Sequence, residues 1–131
     1  MRILVIDDDP ATTELIKLLL KPAASIIYTA NSGMDGIGQV KKYAPDVVIL
    51  DLMMPEMDGW QVCQSIREFS RLPILVLSAL DNPDMVARAL DSGADDYLIK
   101  PVASGVLAAH LNNLVRRAQT GMTIKTAPLS V

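Results

Sequence analysis

The sequence predicts an α/β domain: a doubly wound, five-stranded parallel sheet in the order 2-1-3-4-5. Short apolar runs rich in β-branched residues alternate with segments of helical periodicity. That alternation implies a parallel sheet covered on both faces through right-handed crossovers. The runs themselves are continuous, as strands buried on both sides require. Four of them stop at a polar residue: Ile3–Ile6 at Asp7 and Asp8, Val47–Leu50 at Asp51, Ile74–Leu77 at Ser78, and Tyr97–Ile99 at Lys100. With 131 residues, half of them hydrophobic, the chain fits one domain with a proper core.

Taken in order, Arg2–Ile6 is the first strand. Asp9 caps the helix that begins at Pro10, a residue suited to a first helical turn. Leu15, Leu18 and Leu19 are the expected buried stripe of this helix, which Pro22 ends. Residues 25–29 form a second strand, and Asn31, Ser32 and Gly33 a turn. A helix to about Tyr43 follows, with Met34, Ile37 and Val40 at helical spacing. It carries Gly36 and Gly38, each costing roughly 1 kcal/mol against alanine. The third strand ends at Asp51, and Pro55 and Gly59 mark the turn into a helix that buries Val62, Ile66 and Phe69. Residues 73–77 are the fourth strand. Asn82-Pro83 repeats the Asp9-Pro10 helix start, and Gly93 stops that helix. Residues 95–99 are the last strand. A final helix over 103–119 turns Leu107, Leu111, Leu114 and Val115 to the core. Residues 1–119 make the domain; 120–131 read as a tail or the start of a linker.

Composition narrows the function. No apolar run approaches the roughly 20 residues of a membrane span, and the N-terminus enters a strand at once instead of a signal peptide. A cytoplasmic location is the default. A net charge of −3 and a pI near 5.0 argue against direct nucleic-acid binding by this segment. The lone Cys63 has no partner for a disulfide or a thiolate metal site and packs as a small hydrophobe.

Asp51, where a central strand emerges, is a nucleophile, a metal ligand, or simply a turn or cap residue. Its company decides. In a parallel sheet the ends of all four runs share one edge, so Asp7, Asp8, Asp51, Ser78 and Lys100 converge. Crowded carboxylates resist full ionisation, and a divalent cation relieves them. Oxygen donors without histidine or thiolate suit Mg²⁺ or Mn²⁺. Lys100 offers a mobile positive charge and Ser78 a hydroxyl, both suited to phosphoryl oxygens. The set describes phosphoryl transfer to a carboxylate.

Those residues resemble the receiver domain of a two-component response regulator. The matching segments are Ile3 to Pro10, Asp51-Leu-Met-Met-Pro55-Glu-Met-Asp-Gly59, Ser78-Ala79 and Gly93-Ala-Asp-Asp-Tyr97-Leu-Ile-Lys100-Pro101. The likeness covers residues 2 to about 117, and the motifs together, in this order, are highly specific. It implies a flavodoxin-like (βα)5 fold and a phospho-acceptor switch, which assists its own phosphotransfer and autodephosphorylation, in place of a conventional enzyme. Asp51 would be the acceptor. Asp7, Asp8, Asp51 and the Met53 backbone carbonyl would hold Mg²⁺. Lys100 would contact the phosphoryl group, and Ser78 and Tyr97 would form the switch. Lys100–Pro101 would be cis. The implied donor is a histidine kinase or phosphotransfer protein.

The segment from Gly93 to Lys100 and the ending Leu114-Val-Arg-Arg117 are similar to regulators with a winged-helix DNA-binding domain downstream. In those, the activated receiver forms a homodimer through its fourth helix, fifth strand and fifth helix. A charged pair of that family interface falls here on Val86 and Val106. Val106, His110, Asn113 and Arg117 share the outward face of the last helix.

Simpler readings accompany several residues. Asp9 and Asp58 are caps, Glu56 is a turn residue, Tyr97 is a half-buried strand aromatic, and His110 is a surface residue. Met53, Met54 and Met57 form a soft partner surface, or Met54 belongs to the core. Three rival functions are a receiver-like binding module that is not phosphorylated, a metal-dependent phosphatase, and a flavin site. The full acidic set with Lys100 opposes the first. The lack of an insertion long enough for a substrate cap opposes the second, and acidic loops that repel a flavin phosphate oppose the third.

Overall fold

A computed structural model describes residues 1–124, the last four as backbone only. Five strands, β1 (Arg2–Ile6), β2 (Ile26–Ala30), β3 (Val47–Leu50), β4 (Ile74–Ser78) and β5 (Asp96–Ile99), form one parallel sheet in the order β2-β1-β3-β4-β5. The helices between and after them are α1 (Pro10–Leu20), α2 (Gly33–Tyr43), α3 (Gly59–Arg67), α4 (Pro83–Asp91) and α5 (Ser104–Ile124). A three-residue 3-10 turn at Lys21–Ala23 takes up Pro22 after α1. The expected fold class and strand order are both present, with strand ends moved by one residue in β2, β4 and β5. α5 runs to Ile124, five residues past its expected end.

Side-chain alternation splits the core into two layers. Leu4, Ile6, Val48, Leu50, Ile74 and Val76 pack with α2, α3 and α4. Ile3, Val5, Val47, Ile49, Leu75 and Leu77 pack with α1 and α5, where Leu107, Leu111 and Leu114 are buried. Cys63 is buried in the first layer, and burial pushes its thiol up to about 11, which leaves it an inert hydrophobe.

Three helix faces differ from expectation. Leu15, Leu18 and Leu19 of α1 are exposed (55, 66 and 47 %), and Thr13, Ile16 and Leu20 face the sheet instead. Five of the six residues 15–20 are apolar, so periodicity does not fix which side faces in. The Asp9 cap, whose carboxylate accepts from Ala11 N–H at 3.0 Å, fixes the helix start, and the sheet selects the face. On α2, Gly33, Gly36 and Val40 face in and Met34 is exposed. Glycine brings α2 close to β1: a Cβ on Gly36 would lie 2.5 Å from Ile6 Cδ1. Gly36 is therefore a contact residue, which overturns the expectation that alanine there would stabilise. Phe69 lies beyond the end of α3, is 43 % exposed, and carries Lys41 Nζ 5.0 Å from its ring centroid.

Candidate functional site

The register carries the strand ends to one edge. Leu50 lies beside Ile6 and Val76, and Ile99 beside Ser78. Asp7, Asp51, Ser78 and Lys100 thus follow or close four neighbouring strands. Backbone bonds fix them there: Asp7 N–H donates to Ala30 O (3.1 Å), Asp51 N–H to Ile6 O (3.0 Å) and Lys100 N–H to Ser78 O (2.8 Å).

One carboxylate oxygen each from Asp7, Asp8 and Asp51 lies within 4.8 Å of the others. Asp7 is only 4 % exposed. Its Oδ1 accepts from Asp9 N–H at 3.0 Å and its Oδ2 is 3.3 Å from Lys100 Nζ. Asp51 is half-buried, and its Oδ1 accepts a long 3.5 Å bond from Met53 N–H. Burial, and then the Asp7 carboxylate, raise the Asp51 carboxyl above its ordinary range. Lys100 and the N–H groups of Met53 and Leu52 pull it part of the way back. Three carboxylates with one lysine leave an excess of negative charge, and their all-oxygen donor set fits a hard divalent cation.

The loop after Asp51 is tightly built. Met57 N–H donates to Pro55 O at 2.7 Å around Glu56, whose φ is +66°, so Glu56 is a turn residue in the left-handed region. Asp58 caps α3 in a reciprocal box with Gln61. A Cβ on Gly59 would lie 2.5 Å from Asp51 O, so glycine is what lets α3 start against the chain leaving β3. Met54 is buried, whereas Met53 is 61 % exposed beside Asp51.

Ser78 is fully buried, and its Oγ accepts from Leu80 N–H at 3.2 Å. Tyr97 is half-buried in the α4 layer, and its hydroxyl donates to Leu80 O at 2.7 Å. One loop therefore receives both side chains. The Lys100–Pro101 bond is cis, as the resemblance implies. Val106 and Arg117 are exposed and His110 and Asn113 half-buried, the outward face expected of α5.

Two participants were not foreseen. Asn31 Nδ2 donates to Asp7 O (2.9 Å) and Thr13 Oγ1 (3.2 Å), tying the loop after β2 to the one that carries Asp7. In the sequence Asn31 is one turn residue among several, with nothing to mark its partner 24 positions away. His110 is not an isolated surface residue: its Nδ1 is 2.6 Å from Asp96 Oδ2. The spacing of 14 residues carries no local signal for that pair.

Comparison with known proteins agrees with this geometry. The family model for the response regulator receiver domain matches residues 3–112. The chain is 39% identical over 121 residues to the transcriptional regulatory protein AfsQ1 of Streptomyces coelicolor, covering 92% of this chain and 54% of that one. It is 40% identical to the DNA-binding dual master transcriptional regulator RpaA of Synechocystis, over 88% of this chain and 49% of the relative. It thus spans about half the length of these relatives. A response regulator receiver domain structure from Clostridium thermocellum superposes with a TM-score of 0.85 at 30% identity, covering 91% of this chain and 97% of that one. With the match spanning most of the chain and the acidic edge built as described, this protein belongs to the response regulator receiver domain family.

Proposed function

We propose that Asp51 is the phospho-acceptor of a Mg²⁺-dependent switch. Phosphorylation of an aspartate by a histidine kinase is the family's mechanism, and its members bind Mg²⁺ at an acidic pocket. The observation that carries the assignment is the convergence of the Asp7, Asp8 and Asp51 oxygens beside Lys100. Asp7, Asp8, Asp51 and the Met53 carbonyl would hold the ion, with Mn²⁺ an alternative; it supplies charge neutralisation for the phosphoryl oxygens. An Asp51 oxygen attacks phosphorus as the P–N bond to the donor imidazole breaks, and Lys100 stabilises the charge on the transferred group. Ser78 then turns from accepting the Leu80 N–H to donating its hydroxyl hydrogen to a phosphoryl oxygen, and Tyr97 follows the Leu80 loop. Met53 and Leu80 offer no polar side chain to orient a hydrolytic water, which favours slow autodephosphorylation.

The exposed leucines of α1 support a protein donor. Leu15 and Leu19 line a groove of about 300 Å³ with Leu77, Pro101, Val102 and Lys100. It reaches the acceptor edge through Lys100 and suits a helix of a histidine kinase or phosphotransfer protein. The output reading is an activation-dependent homodimer through α4, β5 and α5, with Val106 (46 % exposed) in its contact. The output we favour is control of transcription through a DNA-binding domain, since one relative is named a transcriptional regulatory protein and another a DNA-binding transcriptional regulator. Among the described residues no helix is long and apolar enough to cross a membrane. That fits the cytoplasmic, two-component setting proposed here.

Beryllofluoride binding and phosphorylation by acetyl phosphate, with and without Mg²⁺, test the site. Metal-dependent occupancy of Asp51 is expected. Its absence under every condition would favour a receiver-like binding module that is not phosphorylated. Sedimentation with beryllofluoride tests the homodimer: it should survive high salt and weaken in Val106→Asp.

A further inference from the structure

His110 takes no part in the carboxylate cluster, yet it stands at one end of a hydrogen-bonded chain that reaches Ser78. Its Nδ1 is 2.6 Å from Asp96 Oδ2. The other oxygen of that carboxylate, Oδ1, accepts from the Tyr97 backbone N–H at 2.8 Å. Tyr97 Oη donates to Leu80 O at 2.7 Å, and Leu80 N–H donates to Ser78 Oγ at 3.2 Å. Tyr97 packs into the layer opposite α5, so the chain crosses the sheet.

We propose that His110 is a proton-sensitive positioning residue for the switch: its protonation state sets how firmly Asp96 holds Tyr97. The inference rests on the roles proposed above for Ser78 and Tyr97. Histidine is the side chain whose ordinary titration falls between pH 5 and 8. A neutral imidazole gives Asp96 one ordinary hydrogen bond to an anion. An imidazolium adds a full positive charge to the same contact, and the Coulomb attraction between the two charges strengthens it. Acid therefore tightens the grip on Asp96 and favours the arrangement seen here, with Tyr97 on the Leu80 carbonyl; alkali loosens it.

Other charges near this pair have their own partners or lie apart. Asp95, next along the chain, pairs with Arg67 at 2.8 Å. Lys100, beyond β5, pairs with Asp7. On α5, Arg116 donates to Asn113 Oδ1, and Arg117 lies two turns further on. On α1, which packs against α5, Glu14 and Lys17 line a groove with Ile27 of β2. From α4, across β5, Arg88 stacks on Trp60, and Asp84 and Asp91 are exposed. Asp96 is thus the carboxylate in contact with His110.

The test is NMR of the full, unphosphorylated chain between pH 5.5 and 8.0. The amide resonances of Tyr97 and Leu80 should titrate with the midpoint of the His110 ring. In His110→Gln that titration should vanish, and in His110→Arg the shifts should stay near their acid positions. Titration of the ring with Tyr97 and Leu80 unmoved would overturn the proposal. The functional arm is beryllofluoride affinity against pH. The wild type should follow His110→Arg at the acid end and His110→Gln at the alkaline end. The two variants should differ on the order of two- to fivefold, the scale of a partly exposed charge pair. Three parallel profiles would also overturn it. A failure of all three proteins to bind beryllofluoride would count against the phospho-acceptor reading instead, and the amide titration would still decide the role of His110.

Discussion

At the N-terminal ends of the strands, Arg2 and Arg67 each hold more than one backbone carbonyl; at the C-terminal ends, three carboxylates gather beside one lysine. The Arg2 guanidinium donates to the carbonyls of Tyr43 (2.7 Å) and Ala44 (2.6 Å), closing the left-handed C-cap of α2 against β1. Arg67 donates to the carbonyls of Gly93, Ser70 and Leu72 and to Asp95, whose carboxylate also accepts from Ile74 N–H. Both guanidinium groups there are spent on fixed backbone carbonyls, and Asp95 is shared between Arg67 and the Ile74 N–H. Asp8 is exposed at the opposite edge, and the charge of Asp51 is opposed by burial and by Asp7. One end of the sheet uses charge to close the fold, and the other leaves it unbalanced, as the proposed cation and phosphoryl group require.

The largest effect that would test this contrast is expected from Asp51→Asn. It should abolish phosphorylation from acetyl phosphate; an acid-labile phosphate persisting undiminished elsewhere in the variant would remove Asp51 from its role. The same variant should unfold at a higher temperature at neutral pH in the absence of divalent cations. The folded-state pKa of Asp51 is raised, so its ionised form costs stability above that pKa. The cost disappears as pH falls through it, and the advantage of asparagine should shrink in step. An equal advantage at all pH values would mean that charge is not the cause.

At the other end, Arg67→Ala should destabilise by about 2–4 kcal/mol in urea unfolding, because it removes the donor shared by the carbonyls of Gly93, Ser70 and Leu72. A loss below about 1 kcal/mol would show that water replaces the guanidinium easily, as at ordinary surface ion pairs.

A smaller effect compares two glycines on α2. Gly36→Ala should lose about 1–3 kcal/mol by overpacking against Ile6, the residue that leads into Asp7. Gly38 has nothing within 4 Å of its would-be Cβ, so Gly38→Ala should gain up to about 1 kcal/mol. Equal responses would mean that α2 moves freely on β1. Smallest in stability terms are Met53→Asn and Leu80→Glu, at exposed and half-buried positions. Each should alter the decay of the acyl phosphate, and unchanged decay in both would show that these side chains do not govern water access.

The strands and the convergence of the acidic edge were legible because both signals are local. A β-branched run with a polar stop says where a strand emerges, and parallel topology does the rest. The helix faces were less legible. In α1 the run 15–20 is apolar on nearly every side, so the choice among its leucines depends on the sheet. Gly36 reads locally as a cost in helix propensity, and its partner Ile6 lies 30 positions earlier. Arg67 and Asp96 look like ordinary helix-end and strand-start charges until their distant partners are beside them.

The Arg67–Gly93 bond has a mechanical consequence for α4. Gly93, at φ +113°, lies just past the C-terminal end of α4, and a Cβ there would sit 2.7 Å from Arg67 Cγ. Its carbonyl is held at 3.0 Å by Arg67 Nε, while the same guanidinium grips the chain entering β4. The other end of α4 follows the loop that bears Ser78 and Leu80. The helix is therefore pinned at its C-terminal end by a hydrogen bond, while its first turn is held by Met85 packing on the core. In the switch proposed above, a displacement begun at Ser78 would enter α4 through its first turn, around Asn82–Met85, and meet the Gly93 pin last.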